Sequence, residues 1–582
     1  MQTTFAQDDF LAKQYLNTGE FEKAVVFYEK LVKKAPRRSD YVEGLVTCYQ
    51  QLERYLEAEE LLFKRLKKQR PHPTTLIELG HNYTLQNKEQ EANEYYEQAI
   101  AVVSKSPNFG YSIGERFRKY SLLDNAAKAY SIAMELDSQY DFNFQLAEIY
   151  GEQGKIDEMY TAYLDLVSAR KSSKQNILRR IEAFISDDPN NENNIKLKRI
   201  LLQNAQKDPN VLWNELLSWL FVQQKQYKSA FNQEKAAYKR SDQVSLARIE
   251  DLGKIALANK DLEIATTIYQ YIIKNTYNDV FKLDAQLQLI EIELLSTDKN
   301  KLKNIEDKFK ELVETHGYKS NTLQLQIAYA KFLTFDLEKP EPAIEMLKKS
   351  LKIPLNTKGK AYLKMTLGDI LVFNQKFNQA LIYFSQIQKS LKNDILSQNA
   401  RYKVAQTSFY KGDFDWALTQ LKVLRSSTSQ LIANDAMQLS LLISDNSLED
   451  STQTALKKYA KADLLAYQNK TKEAITILDD ILENHKGEKI EDEALLKQSE
   501  LLIKRKEYTK AEYNYEKIIA FYADGILADD AYFNLAELYK NILNKPEKAK
   551  DNYERIIYNY QDSYFFPQAR KKYRELRGDV IN

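Results

Sequence analysis

Near the start of the chain, four alanines recur at an unbroken interval of 34 residues. They are Ala24, Ala58, Ala92 and Ala126. Two further apolar positions keep the same interval, and they are occupied by Tyr15, Tyr49, Tyr83 and Phe117 and by Leu11, Leu45, Leu79 and Ile113. A fixed period of this length predicts stacked structural repeats, because one such unit is too small to bury a core of its own.

Each period contains two apolar stripes with helical spacing. In the third unit these stripes are formed by Leu76, Leu79, Gly80 and Tyr83 and by Ala92, Tyr96 and Ala99. The polar link 86–88 between the stripes is too short for a strand and is typical of a turn. The pattern therefore predicts two antiparallel helices per unit. Small residues such as Gly80 and Ala92 mark the place where the two helices approach each other closely.

The residues at these positions resemble the tetratricopeptide repeat. The resemblance is carried by Leu79, Gly80, Tyr83, Ala92, Tyr96 and Ala99, and in the next unit by Ile113, Gly114, Phe117, Ala126, Tyr130 and Ala133. Five successive units match in phase across residues 5–172. The resemblance implies an all-α solenoid of superhelically stacked helix pairs without a sheet. It also implies a concave groove, lined by the first helix of each pair, that binds a protein or peptide partner.

The pattern weakens after the regular array at 7–172. Residues 173–316 are degenerate but helical, and in residues 317–582 the repeat returns with a longer period. In this last segment Ala343, Ala380 and Ala417 are 37 residues apart, as are Ala474 and Ala511. The three segments together predict about 14–15 helix pairs.

The change of period predicts a joint between two arrays within residues 280–320. At the other end of the long-period array, the charged stretch from Pro567 to Arg577 predicts a helix that caps the stack.

The long-period array has a second, weaker resemblance. Its residues 521–532 and 558–569 are similar to repeats of envelope proteins, namely the lipoprotein of the outer-membrane assembly machine and the coordinator of the Tol-Pal system. This resemblance implies a scaffold in a bacterial envelope assembly or secretion complex, located in the periplasm or peripherally at the cell envelope. The sequence departs from those lipoproteins because no N-terminal cysteine is available for a lipid.

Residues 1–6 end in Thr4-Phe5-Ala6, which has the small-x-small pattern of a signal-peptide cleavage site. Two interpretations stay open: the remnant of a secretory signal with a mature start at Gln7, or an ordinary tail. The alternative to the envelope scaffold is a cytoplasmic regulatory or sensor module that binds a peptide or a small ligand.

Composition argues against several other functions. The 84 basic and 82 acidic residues nearly balance, so net charge gives no indication of nucleic acid. No apolar run is long enough to predict a transmembrane segment. The single cysteine, Cys48, and four separated histidines suggest neither a metal site nor a catalytic dyad. The sequence therefore predicts a non-enzymatic protein without a cofactor or metal.

Two basic clusters close the first two units, at residues 33–38 and 64–70. Because they are one period apart, they are expected to lie side by side on one edge of the stack. There they either bind an anionic partner or simply stabilise helix C-termini and solvate the surface.

In proteins with such repeats, the groove is lined by the first helix of each unit. Transferring those positions to this chain gives Asp40, Glu43, Thr47, Ile77, His81, Tyr111, Glu115, Arg118, Phe144 and Glu148. The set is aromatic and acidic, which predicts an extended partner segment with some positive charge. The alternative is that these residues form a solvated concave face without a partner.

Overall fold

The structure of the protein is a computed structural model that describes residues 2–67, 72–241, 245–296, 301–425, 429–447 and 452–579. Of residues 2–6, 296 and 430 it describes the backbone alone. The chain divides into two compact units, Met1–Val244 and Ser245–Asn582. They are called the N-terminal unit and the C-terminal unit.

The N-terminal unit consists of fourteen α-helices within its described residues. They are α1 (Gln2–Asn17), α2 (Phe21–Lys34), α3 (Ser39–Gln51), α4 (Tyr55–Leu66), α5 (Thr74–Thr84), α6 (Glu89–Lys105), α7 (Gly110–Lys119), α8 (Leu123–Leu136), α9 (Asn143–Glu152), α10 (Ile156–Ser168), α11 (Lys174–Glu182), α12 (Glu192–Lys207), α13 (Val211–Gln223) and α14 (Tyr227–Arg240). Helices α11 and α12 both pack against α10, so this degenerate stretch continues the stack.

The C-terminal unit adds eighteen α-helices within its described residues. They are α15 (Ala247–Ala258), α16 (Leu262–Asn275), α17 (Asp279–Ser296), α18 (Leu302–His316), α19 (Leu323–Lys331), α20 (Pro340–Ser350), α21 (Thr357–Phe373), α22 (Phe377–Ser390), α23 (Ile395–Lys411), α24 (Phe414–Leu424), α25 (Gln430–Ser447), α26 (Thr454–Tyr467), α27 (Thr471–Asn484), α28 (Ile490–Lys504), α29 (Tyr508–Phe521), α30 (Ala528–Asn541), α31 (Pro546–Asn559) and α32 (Phe566–Arg577).

Taken in chain order, the described helices make fourteen packed pairs, while α11 and α12 both pack on α10, and α25 and the terminal helix α32 are left over. No described residue lies in a strand. The predicted all-α architecture of about 14–15 helix pairs is therefore confirmed. The division into compact units does not test the predicted changes of repeat period. The segment boundaries at 172/173 and 316/317 and the joint within 280–320 therefore stay predictions. The same holds for the leader remnant at 1–6, where Met1 lies outside the described residues and α1 begins at Gln2.

The ladder of small residues lies in the core of the stack. Ala24, Ala58 and Ala126 are fully buried, and Ala92 is 2% exposed. The alanines of the long-period array are fully buried as well: Ala343, Ala380, Ala417, Ala474, Ala511 and Ala549. Each sits in the second helix of its pair, where the first helix crosses it.

In several pairs, a glycine of the first helix contacts an aromatic ring of the second helix. A Cβ on Gly80 would lie 2.3 Å from the ring of Tyr96, which is closer than any carbon contact allows. The same overlap occurs between Gly114 and the Tyr130 ring, also at 2.3 Å. In the C-terminal unit Gly368 faces a phenylalanine ring in the same way, at 2.4 Å. The aromatic ring therefore lies directly on the backbone of the partner helix.

The turn between the helices of a pair has the same backbone form in most pairs. A residue shortly after the first helix adopts a positive φ, and the next backbone N–H donates to a carbonyl five residues earlier, as Arg54 does to Tyr49 at 2.8 Å. This is a Schellman motif. The positive φ of this motif occurs at Gly19, Glu53, Asn87, Ser121, Gly154, Lys225, Lys260, Gln375, Gly412, Asn469 and Lys506. After Glu338 and Asn544, which also have a positive φ, the hydrogen bond spans six residues.

One insertion interrupts the 37-residue period. Ala417 and Ala474 are 57 residues apart, 20 more than the period, and the 18-residue helix α25 accounts for most of this excess. Helix α25 packs on α23 and α24, while α26 also contacts α23 as the next first helix of the stack.

The C-terminal end of α26 reaches across the first helices of two earlier pairs. Tyr467 donates to the carbonyl of Asp369 at 3.2 Å, and Gln468 donates to that of Phe373 at 2.6 Å. Asn469 donates to the carbonyl of Phe335, in a π-helical turn at Phe332–Asp336, at 3.1 Å. This part of the inner face is therefore occupied by the chain itself.

We expect Gly80→Ala to destabilise the α5–α6 pair by about 1–3 kcal/mol, because the added methyl overlaps the Tyr96 ring. The higher helix propensity of alanine relative to glycine offsets at most about 1 kcal/mol of this loss. Hydrogen exchange of the α5 and α6 amides in the full chain measures the local loss. In a Tyr96→Leu background the same change should cost less, and an equal cost in both backgrounds would contradict the proposed contact.

A second prediction concerns the turn after α23. Gly412 has φ 81°, and no atom lies within 4 Å of a Cβ added there. Gly412→Ala should therefore lower the local stability by about 1 kcal/mol through backbone strain alone. Gly412→Asn is the matched control and should cost less, because asparagine tolerates this conformation. Exchange rates at the adjoining ends of α23 and α24 measure both; identical losses would exclude strain as the cause.

Candidate functional site

The first helices of the second, third and fourth pairs enclose a cavity of about 420 Å³ in the N-terminal unit. Its walls come from α3, α5 and α7, with contributions from α4 and from His72. The lining residues are Ser39, Val42, Glu43, Val46, Leu62, Arg65, His72, Thr74, Thr75, Glu78, Tyr111, Ser112, Glu115, Arg116 and Lys119. Three predicted groove residues are among them: Glu43, Tyr111 and Glu115.

Arg116 connects three successive helix pairs at this cavity. Its Nη2 lies 2.9 Å from Oε1 of Glu43, and its Nη1 forms an ion pair with Glu78. Tyr120 donates to the same Glu78 carboxylate at 2.5 Å. Burial opposes the charge of Arg116, but the two carboxylates outweigh it and raise the pKa of the guanidinium. Glu43 and Glu78 are therefore already paired with a cation.

A second ion-pair network continues along the first helices. Arg118 lies 3.2 Å from Glu115 and 3.2 Å from Glu148, while Tyr130 donates to Glu115 at 2.6 Å. Arg180 of α11 pairs with the other oxygen of Glu148 at 3.2 Å. The Arg180 guanidinium also stacks over the ring of Phe144, 5.1 Å from its centroid. The structure thus brings the predicted residues Glu115, Arg118, Phe144 and Glu148 together.

His81 lies beside the first network. Its ring stacks on that of Tyr120, with 3.8 Å between centroids and 15° between planes. Burial lowers the pKa of His81, so the imidazole is neutral near pH 7. A neutral ring fits here, since a cation would be poorly solvated.

Three further predicted groove positions, Asp40, Thr47 and Ile77, do not line the cavity. Asp40 is exposed and pairs with Arg38 at 2.5 Å, and this contact lowers the pKa of the carboxyl. The assignment of Ile77 to the groove was wrong: Ile77 is fully buried in the hydrophobic core of the N-terminal unit. Thr47 donates to its own helix at Glu43 and does not line the cavity.

The cavity-lining charged side chains that form no ion pair among the described residues are basic. Arg65 donates to Ser39 at 2.6 Å, and Lys119 lies 5.0 Å from the Tyr120 ring centroid. Neither has a carboxylate within ion-pair distance among the described residues. The expectation of a positively charged partner is therefore not supported, because Arg116, Arg118 and Arg180 neutralise the acidic residues on which it rested.

The two basic clusters lie side by side, as their spacing predicted. Lys33 of the first and Lys64 and Arg65 of the second line one cleft of about 210 Å³. Several members are neutralised, since Lys34 pairs with Asp8 at 3.1 Å and Arg38 with Asp40. Lys68 and Arg70 lie outside the described residues.

Sequence reasoning missed Glu78, Arg116, Tyr120 and Arg180. Glu43 and Glu78 recur one period apart, give or take a residue, which is the signal that could have identified the second carboxylate. Arg116 comes 38 residues after Glu78, which is one period plus about one helical turn, so it falls on the same helix face. Its charge is complementary to both glutamates, but its double pairing depends on how closely the layers stack.

Family models of the tetratricopeptide repeat match this chain over residues 11–37 and 530–563 and over residues 459–526. Over these residues the chain is similar to the tetratricopeptide repeat. Such repeats are interaction scaffolds, and the matches lie at both ends of the chain. The finer resemblance to envelope proteins, and the periplasmic or envelope location, gain no support from these matches and stay predictions.

A curated relative covers a short part of the chain. The general transcriptional corepressor trfA of Dictyostelium discoideum is 26% identical over 125 residues, which is 21% of this chain and 9% of that protein. The aligned part is thus less than a tenth of the relative's length.

Two solved structures align along 98% of this chain. One is described as the structure of Naa15/Naa10 bound to HypK-THB, with 12% identity, a TM-score of 0.35 and 88% of that chain covered. The other is the APC/C hetero-tetramer Cut9-Hcn1, with 13% identity, a TM-score of 0.23 and 96% covered. Within the described part of this chain, no helix is both long and apolar enough to cross a membrane.

The buried His81 predicts a pH dependence of stability. The folded-state pKa of His81 is lowered, so between pH 7 and pH 5 the unfolded chain takes up the proton more readily than the folded chain does. The stability of the fold therefore decreases as the pH is lowered. His81→Phe keeps a ring on Tyr120 but cannot be protonated. The loss of stability from pH 7.5 to pH 5, measured by hydrogen exchange of α5, should therefore be smaller in this variant. Burial also lowers the pKa of His72, but this residue is present in both proteins, so its contribution to the pH dependence cancels in the comparison. Equal pH dependence in the two proteins would contradict the prediction.

Proposed function

We propose that this chain is a non-enzymatic scaffold and that the cavity of its N-terminal unit binds an extended segment of a protein partner. The tetratricopeptide repeats support a scaffold, and the cavity supports the place of binding. The lining combines apolar surface from Val42, Val46 and Leu62 with hydroxyl groups and the exposed ring of Tyr111. A narrow cleft with this lining suits a segment without secondary structure of its own.

We further propose that the bound segment carries a carboxylate at this cavity, either on an acidic side chain or at its C-terminus. The observation that carries this proposal is the pairing of the acidic residues: Glu43 and Glu78 with Arg116, and Glu115 with Arg118. Arg65 and Lys119 are the cationic groups left over, and hydroxyls of Ser39, Thr74 and Ser112 lie beside them. Charge-assisted hydrogen bonds from these groups would orient a carboxylate.

The setting in the cell is a separate proposal. The resemblance of residues 521–532 and 558–569 supports an envelope assembly or secretion complex, in the periplasm or peripherally at the membrane. The alternative, a cytoplasmic regulatory module for a peptide or small ligand, uses the same groove. Fractionation of cells that produce the tagged full chain separates these two settings.

The groove assignment is tested by capture of the partner and by removal of the two free cationic groups. Partners are crosslinked to the full chain, and the binding segment found by mass spectrometry is titrated as a synthetic peptide. The double variant Arg65→Ala/Lys119→Ala should weaken binding by about tenfold or more, which corresponds to about 1.4 kcal/mol. The reason is that each removed cation leaves the peptide carboxylate unpaired.

The matched control is Arg179→Ala/Lys105→Ala. It also removes one arginine charge and one lysine charge, but at exposed positions outside the cavity. Its affinity should equal that of the unmodified chain. Equal weakening by both double variants would point to overall charge, and unchanged affinity of the first variant would reject the groove assignment.

A further inference from the structure

The C-terminal unit contains a second cavity, of about 390 Å³, on the side of its first helices. It lies beyond the part of the inner face that α26 covers. Helices α23, α25, α26, α28 and the start of α30 form its walls. The lining residues are Tyr402, Gln406, Phe409, Asp435, Gln438, Leu439, Leu441, Leu442, Tyr459, Asp463, Glu493, Leu496, Lys497, Glu500, Ile526, Leu527 and Asp530.

Five carboxyl groups line this cavity, and one cation accompanies them. The cation is Lys497, whose Nζ lies 2.8 Å from Asp463 and 3.6 Å from Glu500. The remaining three carboxyl groups belong to Asp435, Glu493 and Asp530. None of these three has a cation within ion-pair distance in the described part of the chain. The cavity therefore has an excess of acid that the fold does not neutralise.

One polar atom at the cavity has no hydrogen-bond partner among the described residues. It is Oε2 of Glu493, which is buried and unbonded, while Oε1 accepts from Asn446 at 3.4 Å. Beside it, burial raises the pKa of the Tyr459 hydroxyl well above the ordinary value. Buried polar groups are seldom left unpaired unless a ligand or an ion completes them.

The carboxyl groups respond to this missing counter-charge. Burial, then Asp492, raises the pKa of Glu493 to about 9. Burial, then Asp529 and Glu500, raises that of Asp530 to about 7. Burial also raises the pKa of Asp435. Without a ligand, Glu493 therefore holds a proton at pH 7 and Asp530 holds one in about half of the molecules, and a bound cation would displace these protons.

The shape of the cavity indicates which cation fits. Across the described ranges, no three His, Cys, Asp or Glu side chains are arranged to hold a metal ion. The walls are instead partly apolar, with Phe409, Leu439 and Leu442 opposite Leu496 and Ile526. Such walls accommodate a methylene chain, and two aromatic side chains that can attract an organic cation, Tyr402 and Tyr459, also line the cavity.

We propose that this cavity binds an alkylammonium or guanidinium group, as carried by a lysine or arginine side chain of a partner segment. The cation lies among Asp435, Glu493 and Asp530, and its methylene stem lies on the leucines of α25. This site is separate from the cavity of the N-terminal unit and does not depend on the function proposed there. The two cavities select opposite charges.

The proposal includes a release of protons on binding. The groups that face the cavity or its carboxyls are Tyr402 of α23, Asp435 of α25, Tyr459 and Asp463 of α26, Asp492, Glu493, Lys497 and Glu500 of α28, and Asp529 and Asp530 of α30. A bound cation favours the ionised forms of Glu493 and Asp530, which then lose their protons to solvent. Affinity should consequently rise as the pH increases from 6 to 8.

The test is a calorimetric titration of the full chain with short glycine–serine peptides that differ in one central residue. Peptides with lysine or arginine should bind, and the peptide with norleucine, which keeps the methylenes without the charge, should bind at least tenfold more weakly. Cadaverine is titrated alongside. Affinity equal to that of the lysine peptide identifies a free amine as the ligand, and weaker affinity identifies a partner side chain. Equal binding of lysine and norleucine peptides overturns the proposal.

The variant Glu493→Gln/Asp530→Asn removes the two charges with little change in shape. It should lose lysine-peptide binding by at least tenfold, while Glu483→Gln/Asp551→Asn, at exposed positions, should not. Thermal unfolding without peptide shows whether the variant is folded; neutral groups at these sites should leave it at least as stable as the parent. Titration in two buffers of different ionisation heat measures proton release. A folded variant with full affinity, or binding without proton release, contradicts the proposed site.

Discussion

The whole stack depends on an aromatic ring that lies on the backbone of a neighbouring helix. Gly80, Gly114 and Gly368 meet the rings of the second helix at distances no Cβ would tolerate. The small residue and the ring are complementary, because removing a side chain on one helix allows a large buried surface on the other. Close helix crossing then fixes the geometry of each pair. Since each pair contacts chiefly its neighbours, this local geometry is repeated along the unit.

Close stacking also determines which polar side chains can meet. Arg116 reaches Glu43, 73 residues earlier in the chain, and so contacts a pair that is not its immediate neighbour. Arg118 and Arg180 share Glu148 in the same manner across adjacent layers. These contacts link successive layers through charge, where the core links them through apolar surface.

The sequence predicted the features that recur in every repeat, but it could not predict the side-chain contacts that depend on how the helix pairs stack. Helix pairs, buried alanines and the Gly turns follow from local spacing, and they are confirmed at Ala24, Gly80 and Gly412. The groove positions followed from the same spacing, but Ile77, 34 residues after Glu43, is buried in the core, and the next residue, Glu78, lines the cavity instead. A shift of one residue along a helix changes the face by about 100°. The partners of Glu43 and Glu148 depend on the curvature of the unit, which no local pattern records. Helix α25 had a signal, the 57-residue gap between Ala417 and Ala474, that periodicity alone could have identified.

The near-neutral composition conceals two cavities whose unpaired charges differ in sign. A net charge of +2 over 582 residues suggests no preference for any charged partner. Yet in one cavity arginines pair with every nearby acid and leave cations free, while in the other a single lysine faces five carboxyls. Pairing inside the fold, rather than the number of charges, therefore decides what a surface can bind. For a repeat protein this follows directly from its construction: each layer adds the same backbone, and only the side chains that remain unpaired after stacking distinguish one stretch of groove from the next.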